Sequence, residues 1–210
     1  MQKLIKLAKK TLEKGNLVIF PTETVYGLGG DATNSKAIKE IYKLKKRPSS
    51  NPLICHFPNL KKVKENFIIN KIDSLLIRNF WPGPLTLILK KKTSSLISSG
   101  LSNNTDLVGC RIPDHKIAID ILKAVNFPIA APSANIANKI SSTQYDHLSN
   151  KLKKNTFVIN GGSTILGLES TVIKTFNKKI SILRLGSITI EEIKLILPKI
   201  KIEVNNNKSK

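Results

Sequence analysis

The sequence predicts one α/β domain built on a mixed, twisted sheet. Segments with helical periodicity alternate with short apolar runs as far as Val125, and strand-like runs cluster after Phe157. A chain of 210 residues with 40% hydrophobic content is also long enough for a single sizeable core. In order, Ile5, Ala8 and Leu12 recur at helical spacing and Gly15 stops the pattern, so residues 2–14 read as a surface helix. Residues 17–20 form a short buried strand that empties into a hydroxyl-rich loop, residues 21–31, holding Gly27, Gly29 and Gly30. Ser35 is placed to cap a helix presenting Ile38, Ile41 and Tyr42, which ends before Pro48. Residues 53–57 read as a strand. Ile72, Leu75, Leu76 and Phe80 read as a helix stopped by Trp81-Pro82-Gly83-Pro84. Residues 86–89 and 108–112 are strand-like, 117–125 helical and 128–131 extended. A short helix over 143–148 is opened by Thr143 and Asp146. Residues 157–160, 171–175 and 180–185 are strands, and Thr189 with Glu192 makes a capping box for a last helix near Leu197. The domain is expected to span residues 1–198. Residues 199–210, rich in Lys and Asn, read as a basic, flexible tail.

Charge is the compositional outlier: 35 Lys and Arg against 14 Asp and Glu give +21. Such an excess suits polyanion contacts. Abundant Lys, Ile and Asn are equally what an AT-rich coding sequence would produce. Arginine occurs only at Arg47, Arg78, Arg111 and Arg184, so each arginine merits separate attention. Cys55 and Cys110 have neither metal-type nor redox-type spacing and read as free thiols of a reducing compartment. The N-terminus lacks a signal-peptide pattern, and no apolar stretch approaches the roughly 18 residues of a membrane span. A soluble, cytoplasmic chain without a membrane partner is expected.

Several polar clusters interrupt this pattern. Gly27, Gly29 and Ala32 formally match a dinucleotide fingerprint, but no acidic residue closes a βαβ unit at the expected distance. Pro48 should end its helix so that Lys45 and Arg47 project together, either as a phosphate-binding pair or as a solvated helix end. His56 ends an apolar strand and reads first as a hydrogen-bonded core residue. His115 and His147 lie far away, and no metal site is expected. Trp81-Pro82-Gly83-Pro84 reads as a structural corner. Arg111 sits in an otherwise apolar strand, where a buried guanidinium needs an anionic partner: a structural Asp or Glu, or a substrate. Ser133 lacks a nucleophile elbow and is assigned to hydrogen bonding, not covalent catalysis.

Seven segments, taken in order, resemble the YrdC-like family of threonylcarbamoyl-AMP synthases. They are residues 21–30; Lys45, Arg47, Pro48, Asn51, Pro52, Leu53 and His56; 81–86; Val108, Gly109, Arg111 and Pro113; 131–135; 167–172; and 182–186. The resemblance spans roughly residues 10–188 and is to the short bacterial form. It implies a twisted, open, mixed parallel and antiparallel sheet flanked by helices around a basic concave cavity. It also implies a reaction in which L-threonine, bicarbonate or CO2, and ATP give threonylcarbamoyl-AMP and pyrophosphate, for modification of tRNA at adenosine 37. Carried over by position, Thr24, His56, Arg111, Ala131 (through its backbone) and Ser170 would hold threonine. Lys45, Arg47, Asn51, Ser133, Asn135, Ser141 and Arg184 would contact ATP. Lys45 and Arg47 matter most, and no residue acts as a nucleophile.

The resemblance further implies Mg2+ carried by the triphosphate, with Glu23 and Glu169 as spare candidates for a base or a water-mediated metal contact. Downstream threonylcarbamoyl-transfer proteins would be partners, and the surface lysines leave a weak tRNA contact open. One departure concerns residues 137–143, where many relatives carry a Gly and a Pro that this chain lacks around Ser141. The competing reading is a non-catalytic tRNA- or double-stranded-RNA-binding protein, favoured by charge alone. A carbamoyl-transfer domain of hydrogenase maturation is a further rival, but those usually sit in larger chains with zinc-finger-like cysteines.

Overall fold

Alternating burial along the strands decides how the chain layers in a computed structural model, which describes residues 1–205. The helix Gln2–Glu13 (α1) turns Ala8 and Leu12 inward. The strand Val18–Pro21 (β1) follows, and Tyr26–Asp31 (β2) returns antiparallel to it, with Val18 opposite Gly29 and Pro21 opposite Tyr26. Of the expected loop 21–31, residues 22–25 form the turn of a hairpin, while the glycine-bearing part, Tyr26–Asp31, is its second strand. Packing explains two of the glycines: a Cβ on Gly29 would lie 2.6 Å from the Phe20 ring and 2.9 Å from Ile129, and one on Gly30 would lie 2.8 Å from Leu17. Helix α2 (Ser35–Lys45) is capped by Asn34, which accepts from the amides of Lys36 and Ala37, so the cap stands one residue before the expected Ser35. Lys46 closes the helix in the left-handed conformation, with φ 53°.

The strand Ile54–His56 (β3) leads to Leu60–Asn66 (α3), Phe67–Ile68 (β4) and Lys71–Phe80 (α4). Asn70 and Asp73 form a full capping box on α4. Then come Leu85–Lys91 (β5), Leu107–Arg111 (β6), Lys116–Ala124 (α5) and Ile129–Ala130 (β7). Residues 143–148 contain only a 3-10 turn, Tyr145–His147, because the Thr143 hydroxyl pairs with His147 Nδ1 at 3.1 Å instead of capping. Asn150–Asn155 (α6), Phe157–Val158 (β8), Thr171–Thr175 (β9), Lys179–Arg184 (β10) and Ile190–Ile196 (α7) follow, and the Thr189–Glu192 capping box on α7 is formed.

Lys201–Val204 (β11) pairs in parallel with β10, Lys179 opposite Lys201, where a flexible tail was expected. Apolar residues alternate along this short stretch, so that Ile200 and Ile202 pack on the larger core, and backbone pairing with β10 and the Lys179–Glu203 contact at 2.9 Å add to that hold. Residues 206–210, the rest of the expected tail, lie outside the described residues.

The strands form one mixed sheet in the order β11-β10-β9-β5-β6-β3-β7-β2-β1-β8, with β4 beside β5. Two cores flank it. The larger joins Ile19 and Leu28 to Ile38 and Ile41 of α2, Leu76 of α4 and Ile193 of α7. The smaller joins Val18 and Phe20 to Ala8 and Leu12 of α1 and Ile121 of α5. Strand β1 thus buries alternate residues on opposite sides, as its unbroken apolar run requires. Each fully buried Leu or Ile in these cores contributes about 1.5–3 kcal/mol.

Candidate active site

The middle of the sheet is where one face is left open. Along β3, β5, β6 and β9, Cys55, Leu87, Val108, Cys110 and Ile173 face the larger core. The alternate residues Ile54, His56, Ile88, Gly109, Arg111 and Val172 line a cavity of about 590 Å3. Register brings the polar pair together: β3 and β6 run parallel, with His56 opposite Arg111. The chain leaving β7 closes a third side, where the Ala131 amide donates to the Ile54 carbonyl at 2.9 Å. Thr24, Ala131 and Ser170 complete this floor, so the five residues expected around an amino acid converge on one cavity.

Arg111 is 3% exposed and thoroughly engaged. Its Nε donates to the Gly83 carbonyl at 3.0 Å and its Nη1 to the Thr24 hydroxyl at 3.0 Å. Its Nη2 is in ion-pair contact with Glu23, which is itself buried. Apart from that contact, neither Glu23 oxygen has a hydrogen-bond partner. The anion demanded by this buried arginine is therefore a structural carboxylate. The Trp81–Pro84 corner has a specific task here, since Gly83 supplies the carbonyl that orients the guanidinium. Burial lowers the pKa of Arg111, opposed by Glu23. Burial, followed by the Arg111 charge, brings His56 down to about 3, so its ring is neutral, and its Nδ1 lacks a partner.

The opposite side of the cavity is lined by Arg47, Asn51, Ser133, Glu169 and Arg184. Arg47 folds over its own loop: Nε donates to the Asn51 carbonyl at 2.9 Å, and Nη2 to Asn51 Oδ1 at 2.6 Å and the Pro52 carbonyl at 3.0 Å. Arg184 pairs with Glu169 through Nη1, and its Nε and Nη2 donate to the Ser170 carbonyl at 3.0 and 2.9 Å. Burial pushes the Glu169 carboxyl up, but Arg184, the hydroxyls of Ser141 and Ser133 and then Lys45 outweigh it and hold the group below its ordinary value.

Three expected nucleotide contacts lie outside the cavity lining. Lys45, at 1% exposure, points inward from the end of α2. Its Nζ donates to the carbonyls of Ser133 and of Asn135, the latter at 2.5 Å, and to Asn135 Oδ1 at 3.3 Å. Asn135 returns Nδ2 to the Ile136 and Lys139 carbonyls at 3.0 and 2.5 Å. Ser141 donates to Glu169 Oε1 at 2.7 Å. These side chains brace the wall that carries Ser133. Among the described residues, no group of three or more His, Cys, Asp or Glu could hold a metal. Glu169 has one oxygen on the Ser141 hydroxyl and the other on Arg184.

Sequence reasoning gave Glu169 too small a place. The signal was its position in the polar segment before β9, beside Ser170. Thr22 also lines the cavity, its hydroxyl 2.8 Å from that of Thr24. Its place in the hydroxyl-rich segment after β1, two residues before Thr24, was the available signal.

The Sua5_yciO_yrdC family model, described as telomere recombination, matches residues 10–186. The threonylcarbamoyl-AMP synthase of Pyrococcus abyssi is 40% identical over 203 residues, covering 94% of this chain and 58% of that protein. The Bacillus subtilis threonylcarbamoyl-AMP synthase is 38% identical over 201 residues, covering 95% of this chain and 58% of that protein. A crystal structure of P. abyssi Sua5 complexed with L-threonine superimposes with a TM-score of 0.87 at 38% identity, covering 95% of this chain and 58% of that one. The chain spans little more than half the length of these relatives.

Proposed function

The chain belongs to the Sua5/YciO/YrdC family, and from that premise we propose that it is an L-threonylcarbamoyladenylate synthase. It joins L-threonine, bicarbonate or CO2, and ATP into threonylcarbamoyl-AMP and releases pyrophosphate. The observation that carries this reading is one cavity with two unlike halves: a buried floor around Arg111 and an open, cationic rim around Arg47 and Arg184. Supporting it, relatives at this level of identity are named threonylcarbamoyl-AMP synthase, and one related structure is described as complexed with L-threonine.

In this reading Thr24, His56, Arg111, Ala131 and Ser170 hold threonine, and Arg47, Asn51, Ser133 and Arg184 face the nucleotide. Lys45, Asn135 and Ser141 serve that half from behind by fixing its wall. The threonine amine attacks CO2, and the carbamate oxygen then attacks the α-phosphorus as pyrophosphate leaves. Neither step needs an enzyme nucleophile; both need orientation and neutralised charge. Neutral His56 offers an acceptor without adding charge beside Arg111. Mg2+ enters with the triphosphate as part of the substrate.

The setting is cytoplasmic, with the product passing to threonylcarbamoyl-transfer proteins that act on tRNA. Among the described residues no helix is long and apolar enough to cross a membrane. The RNA-binding alternative has no support beyond the lysine excess. Purified protein with Mg2+, ATP and bicarbonate should release pyrophosphate only when threonine is added. Release no greater than in the threonine-free control sinks the reading.

A further inference from the structure

Glu169 is the only acidic side chain lining the cavity among the described residues. A carboxylate there repels a polyphosphate, so its presence calls for another purpose. It offers no free oxygen: Oε1 accepts from Ser141 at 2.7 Å and Oε2 pairs with Arg184. The guanidinium thus held directs Nε and Nη2 to the Ser170 carbonyl, and Nη2 also to the Ser170 hydroxyl at 2.9 Å. Of the five N–H donors of an arginine, one on Nη1 is left for a ligand. The Ser170 hydroxyl is held from its other side by Thr86 Oγ1 at 2.8 Å.

The backbone reinforces this arrangement. A Cβ on Gly186 would lie 2.2 Å from the Glu169 carbonyl oxygen and 2.5 Å from the Ser170 carbonyl carbon. Ser187 also donates its amide to the Glu169 carbonyl at 3.1 Å. The chain leaving β10 is pressed onto the Glu169–Ser170 peptide, so Arg184 and Ser170 share one rigid support.

We propose that Glu169 is a positioning residue that couples the two halves of the cavity by tethering Arg184 to the Ser170 hydroxyl. The proposal rests on the synthase reading, with threonine at Ser170 and the nucleotide at Arg184. Without nucleotide, Arg184 occupies the hydroxyl that threonine would use. A triphosphate draws the guanidinium toward itself and releases that hydroxyl. Threonine then binds more tightly, and by linkage the nucleotide gains the same factor. With Glu169 neutralised, Arg184 is no longer held in the blocking position, and the two ligands bind independently.

The test is calorimetric titration of threonine into the full chain, with and without α,β-methylene-ATP and Mg2+. The wild-type chain should bind threonine about fivefold or more tightly when the analogue is present. In Glu169→Gln that ratio should fall to within about twofold of unity. Arg184→Gln should also abolish the ratio, and the double variant should change it no further. A Glu169→Gln chain that keeps the wild-type ratio overturns the proposal, as does additive loss in the double variant. A wild-type chain that binds threonine with no response to the analogue overturns it as well. Failure of the wild-type chain to bind threonine at all sinks the synthase reading itself, a separate and recognisable outcome. A merely structural Glu169 would weaken both titrations equally and leave the ratio intact, which counts against the proposal.

Discussion

The two sides of the cavity hold their cations differently. Arg111 and His56 stand on adjacent in-register strands, buried to 3% exposure each. Arg47 follows the end of α2 and Arg184 ends β10, and both remain partly open to solvent. The floor is fixed by the sheet, and its charge is already balanced by Glu23. The rim is fixed by short hydrogen bonds within loops, with the Glu169 carboxylate as its counter-charge. A small zwitterion suits the first arrangement and a mobile triphosphate the second. In the proposed synthase, rigid burial would select a small ligand, while an adjustable rim would accommodate a long one.

Substitutions can break that contrast, and the largest effect is expected in the floor. Arg111→Ala strands the Glu23 carboxylate in the interior and should cost about 3–5 kcal/mol in urea unfolding. Adding Glu23→Gln should recover most of that stability without restoring threonine binding. A single variant as stable as the wild type would mean that the floor is no more rigid than the rim.

An intermediate effect is expected at Lys45, which lies between the two regions. Burial, followed by the nearby Arg47, lowers its pKa from the ordinary 10.5 to about 8. Between those values the unfolded chain binds more protons than the folded one, so this group's contribution to stability rises with pH across the window. Its hold on the Ser133 and Asn135 carbonyls weakens as the charge is lost. Nucleotide affinity should therefore drop through about pH 8 while the urea midpoint is maintained or raised by this group. Lys45→Met should remove that pH step and lower nucleotide affinity about tenfold at neutral pH. Parallel loss of stability and affinity above pH 8 would contradict this account.

The smallest change in stability is expected at the rim. Arg47→Ala should shift unfolding by no more than about 0.5 kcal/mol, because its partners belong to its own loop. It should still weaken ATP more than threonine, the reverse of Arg111→Ala. Equal effects on both ligands would erase the distinction between floor and rim.

Much of this contrast is legible in the sequence. Arg111 in an apolar strand announces a buried charge, and the Thr189–Glu192 box announces α7. The hairpin strand β2 is hidden because its glycines look like loop residues, when Gly29 leaves space for Phe20 and Ile129 and Gly30 leaves space for Leu17 and Ile41. Helix α3 and strand β11 are short and Lys-rich, and the apolar positions that pack them, Leu60 and Val63 in one and Ile202 in the other, are too few to stand out among the lysines. The inward turn of Lys45 was equally hidden. A helix end is visible in sequence, but the left-handed twist at Lys46 and the carbonyls awaiting Lys45 come from distant segments.

Main-chain oxygens recur as anchors throughout the site. Gly83 receives Arg111, Ser133 and Asn135 receive Lys45, Asn51 and Pro52 receive Arg47, and Ser170 receives Arg184. A nucleotide change in the gene can rewrite a side chain, but it cannot delete a peptide carbonyl. The genome encoding this chain can therefore drift far toward lysine codons over the surface and leave these anchors untouched. What such drift must spare is the four cations, the few carboxylates and hydroxyls that hold them, and the path of the backbone beneath.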